Sequence, residues 1–179
     1  MIYEPSDDSY LLLEVLTKYL KYKNKDISIL DLGTGSGIQA KSCKELGFKN
    51  ILVSDINQEA TKYLKKQKFN AIESDLFKKI KGKFDLIIFN APYLPENNLE
   101  PEDSKIITTA GKKGYEIILK FLKQAKSHLN KEGIILIVFS SLSKHKIILK
   151  YAEKLNYKYK KLAAKKLFFE ELFVYSFNI

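Results

Sequence analysis

The feature that most constrains this chain is an alternation. Between Ile27 and Ser140, short apolar runs take turns with longer stretches of helical period. Ile27–Leu32, Asn50–Ser54, Asn70–Glu73, Phe84–Phe89 and Gly133–Ser140 read as strands. The second-to-last and last of these show no polar alternation, as expected of strands covered on both faces. Helical periodicity runs over Ser9–Lys21, from Gly37 to about Leu46, and over Gln58–Lys68, Tyr115–Leu129 and Lys144–Leu155. Strands separated by helices of this length imply crossovers and a parallel sheet. Such crossovers are right-handed, which gives a doubly wound α/β architecture. Tyr157–Ala163 and Leu167–Phe177 then read as a closing antiparallel hairpin. The expectation is a mostly parallel seven-stranded sheet in one domain, residues 1–179. It has an N-terminal helical segment (1–23), a ligand-binding core (27–140) and the hairpin (157–177).

Composition narrows the function classes. The formal net charge is +10, and all 31 basic residues are lysines. A basic surface attracts polyanions, but these lysines are spread along the chain. Arginine, the preferred fork for phosphate and base recognition, is missing. The single cysteine, Cys43, excludes an intrachain disulfide and a cysteine-held zinc. The acidic start, Glu4 to Asp8, is unlike a secretory signal, and no apolar run has the ~20 residues of a membrane span. A cytoplasmic protein is expected.

Asp31-Leu32-Gly33-Thr34-Gly35-Ser36-Gly37 joins the first strand to its helix. Glycines there let a backbone approach a ligand, and the helix start offers unpaired amides. The dinucleotide fingerprint is not met, since Ile38 stands where its third glycine belongs. No Lys-Ser or Lys-Thr follows, which excludes a P-loop. Asp55, before Ile56, ends the second strand, where a carboxylate can take ribose hydroxyls; the plainer reading is a cap for the next helix. Asp75, before Leu76, ends the third strand and suits an adenine amino group, or else a turn. Asn90 to Ala110 holds three of the four prolines with little periodicity. A loop that long in a compact domain is usually functional.

Asn90-Ala91-Pro92-Tyr93 resembles the N-P-P-Y motif of amino-methyltransferases, with Ala91 in place of the first proline. The chain as a whole resembles the HemK-like release-factor glutamine methyltransferases, most closely their short archaeal and eukaryotic branch. Tyr3 to Tyr10, the glycine loop, Ser74 to Phe77, Asn90 to Pro95, Gly111 to Gly114 and Phe168 to Leu172 carry the resemblance. It implies a Rossmann-like fold and S-adenosylmethionine as cofactor. Ser9, which reads otherwise as a helix cap, would contact the methionine end, and Asp31 would reach its ammonium with Gly33 packed beneath. Gly35 and Gly37 complete the loop. Asp55 and Ile56 would take the ribose, Asp75 and Leu76 the adenine. Asn90, Ala91, Pro92, Tyr93 and Leu94 would clamp the substrate, with Asn90, Pro92 and Tyr93 catalytic.

The chemistry explains such a clamp. A sulfonium methyl is already electrophilic, whereas an amide nitrogen shares its lone pair with its carbonyl. Acceptors on the NH2 hydrogens hold the nitrogen in line and favour its lone-pair density. The Asn90 side-chain oxygen and the Ala91 carbonyl are the acceptors, and Tyr93 stacks on a planar group. No general base is needed; His128 and His145 are expected on helix surfaces. The resemblance implies N5-methylation of the glutamine in a Gly-Gly-Gln loop, with lysine methylation as a second activity. It also implies a heterodimer with a small zinc-binding activator, because the chain starts almost at the Glu4-Pro5 segment; a sheet edge would receive it. The rivals are exocyclic-amine methylation of RNA or DNA bases, which the +10 charge favours, and a cofactor-binding scaffold without turnover.

Overall fold

The computed structural model describes residues 2–93 and 113–179. Among these residues the sheet has seven strands. In chain order they are β1 (Ile29–Leu32), β2 (Ile51–Asp55), β3 (Asn70–Glu73), β4 (Phe84–Asn90), β5 (Leu129–Ser140), β6 (Lys158–Lys166) and β7 (Glu171–Asn178). The spatial order is β3-β2-β1-β4-β5-β7-β6. All pairings are parallel except β5–β7 and β6–β7, which are antiparallel. The expected doubly wound sheet with its closing hairpin is therefore observed.

The sheet divides two apolar layers, and the period of two sorts the side chains between them. Ile87, Phe89, Ile135, Ile137, Phe139, Phe173 and Phe177 face one layer. There they meet α4 (Glu116–Ala125) through Phe121 and Leu122, and α5 (His145–Lys154) through Ile148 and Ala152. Leu86, Ile88, Leu136, Val138, Leu172 and Val174 face the other layer. That side is covered by α1 (Asp7–Leu20) with Leu12 and Leu16, α2 (Ile38–Glu45) with Ala40 and Cys43, and α3 (Gln58–Lys66) with Leu64. Burial on both faces is why these strands carry almost no polar residue.

The boundaries differ from expectation in three places. Helix α1 begins at Asp7, not Ser9; Ser6 holds the capping position without a side-chain bond, and Asp7 and Asp8 lie in the first turn, where carboxylates suit the helix dipole. The helix expected over Tyr115–Leu129 stops at Ala125, and a tight turn, Lys126–His128, leads into a longer β5. The polar Asn130-Lys131-Glu132 hid that start, yet Asn130 donates to Asp85 on β4 at 2.7 Å. Strand β6 is an edge strand, so its exposed lysines at 158, 160, 161, 165 and 166 obscured its length. Charges there also discourage edge-to-edge pairing. His128 stacks on Phe77 and His145 packs at a tilt against Phe173, consistent with the surface roles expected of both. Among the described residues, no helix is long and apolar enough to cross a membrane.

Candidate active site

A cleft of about 370 Å³ opens at the carboxyl ends of β1 to β4. The turn after β1 supplies Gly33 and Gly35, the turn after β2 supplies Asp55 and Ile56, and the turn after β3 supplies Asp75 and Leu76. Phe89 through Tyr93 form the wall after β4. These are most of the residues expected from sequence. Leu94, expected in the clamp, lies outside the described residues.

The glycine side is held by backbone. The Gly35 amide donates to Asp55 Oδ2 at 2.8 Å, and the Asn57 amide donates to Asp55 Oδ1 at 2.8 Å. The Ile56 amide also bonds this carboxylate, which still keeps acceptor capacity for a hydroxyl. Burial raises the Asp55 pKa and the amides oppose that rise. The cap of α3 is Asn57, whose side chain accepts from the Glu59 amide, so the capping role considered for Asp55 belongs to its neighbour. A Cβ on Gly33 would stand 3.2 Å from the Phe89 ring, and one on Gly35 3.3 Å from Tyr3 Cβ. Gly37 is different. It does not line the cleft, and a Cβ there would stand 2.5 Å from Leu64 Cδ2; its job is helix–helix packing.

Asp31 is likewise behind the cleft wall, 2% exposed. Its Oδ2 accepts from the Thr34 hydroxyl at 2.6 Å and the Ala40 amide at 3.2 Å. Burial pushes its carboxyl up to about 7, against the pull of these two donors. Asp75 meets Lys120 of α4 at 3.0 Å across the cleft. Ile117, one turn earlier on α4, shares the wall with Ile56 and Leu76, which makes an apolar slot beside that ion pair.

The opposite side is held by side chains. Asn90 ends β4, and its Nδ2 donates to Ser9 Oγ at 3.1 Å. Ser9 Oγ donates to Asp8 Oδ1 at 3.0 Å, and the Ser9 amide donates to the same oxygen. An ionised carboxylate only accepts, so the serine hydrogen points to Asp8 and its lone pairs face Asn90. The amide orientation of Asn90 follows: NH2 toward Ser9, Oδ1 away. That Oδ1 is buried and has no partner among the described residues. Asp8 also accepts from Tyr3 at 2.8 Å and from Tyr93 at 3.1 Å. Burial first, then the charge of Asp8, pushes both phenols well above the usual tyrosine range. Ser143 Oγ donates to the Tyr93 carbonyl at 3.2 Å and fixes the loop from the far side.

The methyltransferase small domain model matches residues 6–168 of this sequence. The chain belongs to that family. A protein of Methanocaldococcus jannaschii named for N5-glutamine methyltransferase activity is 39% identical, over 97% of this chain and 89% of its own. The release factor glutamine methyltransferase of Borreliella burgdorferi is 42% identical over 61% of this chain, but only 43% of that longer protein is covered. The structure of the E. cuniculi Mtq2–Trm112 complex, responsible for methylating the termination factor eRF1, has the same fold. It matches with a TM-score of 0.80 at 24% identity, over 99% of this chain and 98% of that one.

A methyltransferase small domain takes S-adenosylmethionine, and this cleft is fitted to it. Side chains at positions 33 and 35 would fill the cradle, Asp55 has acceptor capacity left over, and the apolar slot suits a purine. The structure does not place Ser9, Asp31 or Gly37 on the cleft wall. Ser9 is the third residue of α1, not its cap, and it reaches Asn90 instead. Sequence reasoning missed Tyr3, Asp8 and Lys120 as cleft residues. Tyr3 and Asp8 lie inside the N-terminal motif, which was the available signal. Lys120 had none beyond sitting three residues after Ile117.

Proposed function

We propose that this methyltransferase moves a methyl group from S-adenosylmethionine to N5 of a glutamine side chain in a peptide-chain release factor. The observation that carries this is the buried, unpartnered Asn90 Oδ1. A buried acceptor without a partner costs roughly 1–3 kcal/mol, and a substrate NH2 repays that cost. Glycine-side residues 33, 35, 55 and 56 hold the cofactor, with Asp75 and Leu76 at its adenine. The sulfonium supplies an electrophilic methyl when bound.

On the acceptor side, Asn90 Oδ1 and the Ala91 carbonyl accept hydrogen bonds from the two amide N–H groups. The nitrogen is thereby aimed along one line and its lone pair released from the carbonyl. Once the N–CH3 bond has formed as the S–CH3 bond breaks, one of those two protons leaves to water. Asp8 does not act as base: its oxygens are engaged by Tyr3, Tyr93 and Ser9. It serves instead through Ser9 as the positioning residue that holds Asn90 with its oxygen outward. Pro92 fixes φ within the clamp, and the Tyr93 ring, pinned at its hydroxyl and its carbonyl, forms a wall for a planar amide. Positioning and electrostatics set in advance provide the rate. Retention of this whole network argues against a scaffold without turnover.

The relative of E. cuniculi works as a complex, and a small zinc-binding partner fits here too. Among the described residues, strand β3 ends the sheet and its outer edge is the site for it. A release-factor substrate places the work in the cytoplasm. The test is mass spectrometry of the Gly-Gly-Gln peptide after incubation with S-adenosylmethionine and release factor, with and without the partner. One added methyl on the glutamine is expected. Loss of one acceptor of this kind costs about 10²–10³ in kcat, and Asn90→Ala should fall by that much. Label entering total RNA while the peptide stays unmodified would overturn the reading in favour of base methylation.

A further inference from the structure

The turn between β6 and β7 exposes two aromatic rings that the reaction does not use. Phe168 is 92% and Phe169 85% exposed, and they pack edge-to-face with centroids 4.7 Å apart. Exposed phenylalanines on a rigid support point to a contact surface. The support here is rigid. The Leu167 amide donates to the Glu170 carbonyl at 2.8 Å, closing the turn, and Leu167 packs on the α1-side core. Lys165 is paired with Asp7 at 2.7 Å, and the Glu171 amide donates to Ser141 at 3.0 Å.

Topology puts this turn at the mouth of the cleft. Strand β7 runs antiparallel to β5 with Ser140 opposite Leu172, so the turn lies at the edge where β4 and β5 end. The charge of Glu170 reaches the Tyr93 phenol. The β5–α5 turn beside it is bonded to the Tyr93 carbonyl through Ser143, and it exposes Leu142. Leu142, Phe168 and Phe169 are thus exposed apolar side chains on the two turns at this end of the sheet. Val138 pairs with both Asn90 and Val174, which sets β7 two strand spacings, about 10 Å, from β4. Adding the run from Val174 back to Phe169, the pair stands roughly 10–20 Å from Asn90.

We propose that Phe168 and Phe169 are the docking site for the protein substrate, gripping an apolar side chain about three to six residues along an extended segment from the target glutamine. This rests on the glutamine reading above. An isolated side-chain amide fills only the clamp, so the pair gives selectivity for a glutamine in the right sequence context.

The test compares wild type with the Phe168→Ala/Phe169→Ala double variant, each with the zinc-binding partner. Acceptors are intact release factor and a capped Gly-Gly-Gln peptide too short to reach the turn. On release factor, KM should rise about tenfold or more, as for loss of aromatic contact anchors, with kcat and cofactor affinity unchanged. On the short peptide the two enzymes should be alike. Equal KM values on release factor would overturn the proposal. So would loss of the partner from the double variant, or a change in oligomeric state, since either would assign the rings to another occupant. If wild type itself leaves release factor unmethylated, the glutamine reading has failed and the docking proposal falls with it.

Discussion

The two sides of the cleft are built by different means. On the cofactor side, the decisive bonds use backbone amides and join residues close in sequence; Gly35 and Asp55 are 20 apart. On the acceptor side they use side chains that join the N-terminal helix to the end of β4, far apart in sequence. Ser9 and Asn90 are 81 residues apart, and Asp8 and Tyr93 are 85 apart. An amide survives almost any substitution at its own position, whereas a side-chain relay is lost with one of its members. The cofactor side should therefore fail at few positions: where glycine is replaced, or where Asp55 or Asp75 is lost. The acceptor side should fail at any link, including links that touch no ligand.

The largest effect expected outside Asn90 follows from that contrast. In Ser9→Ala the Asn90 amide loses the acceptor that sets its orientation, and in Asp8→Asn the serine hydrogen is no longer committed away from Asn90. A small misplacement of a reacting group costs up to about 10²-fold. Both variants should lose about 10- to 100-fold in kcat while cofactor affinity stays near wild type, and Ser9→Thr should restore much of the loss. Stopped-assay kinetics beside calorimetric cofactor titration separate the two readouts. A parallel loss of cofactor affinity in Ser9→Ala would move Ser9 to the other side of the comparison, where the family resemblance had it.

The glycines sharpen the cofactor side. Gly35 and Gly37 both have positive φ, +52° and +81°, a region that costs other residues roughly 1–2 kcal/mol. Gly35→Ala puts its methyl toward Tyr3 beside the cleft, and should weaken S-adenosylmethionine binding by about tenfold, the equivalent of that strain. Gly37→Ala drives its methyl into Leu64, and overpacking adds about 1–3 kcal/mol. For a domain of this size that total lowers Tm by roughly 5–15 °C, with cofactor affinity of the folded protein little changed. Thermal scans with and without cofactor test the split. Equal losses of affinity in both variants would show that the whole loop, not Gly35 alone, touches the ligand.

The same division explains what was legible in the sequence. The alternation of strands and helices, the mostly parallel sheet with its closing hairpin and the residues at strand ends followed from periodicity and from short motifs, because those signals are local. Asn90, Asp55 and Asp75 were found this way. Asp8 was not, since its role depends on two tyrosines and a serine meeting it in space, and a first-turn acid in a helix has an ordinary reading of its own. Ser9 was found as a candidate cofactor contact, whereas the bond that the structure gives its hydroxyl is to Asn90. The polar start of β5 and the lysine-covered β6 were misjudged at their ends because edge and overhanging strands lack the burial that creates a pattern.

Asp31 tests the backbone side through pH. Its carboxyl is held up at about 7 by burial, above the ordinary carboxylate value it regains on unfolding. The folded state therefore binds a proton that the unfolded state has released between these two values, and stability falls as pH rises through that window. The contribution is fully present below the unfolded value and gone above about 7. In Asp31→Asn this slope should vanish, so the variant gains on wild type between pH 5 and pH 8 in urea unfolding. Identical slopes would mean that Asp31 is ionised in the fold, and that a cation compensates it.

The smallest effect should come from Lys120, where the cofactor side does use a side chain. The pair with Asp75 is half exposed, 51% and 44%, and such pairs contribute about 0–1 kcal/mol. Lys120→Ala should weaken S-adenosylhomocysteine binding by less than about fivefold, the upper limit for a surface ion pair, and added salt should shrink the difference. Asp75 itself should matter more and in a specific way. If it accepts from the adenine amino group, wild type will prefer S-adenosylhomocysteine over S-inosylhomocysteine, which carries an oxygen there. Asp75→Ala should erase that preference while Lys120→Ala keeps it. Were Lys120→Ala to erase it as well, the ion pair, rather than the carboxylate alone, would be the purine-reading element. The cofactor side would then share the fragility of the acceptor side at this one point.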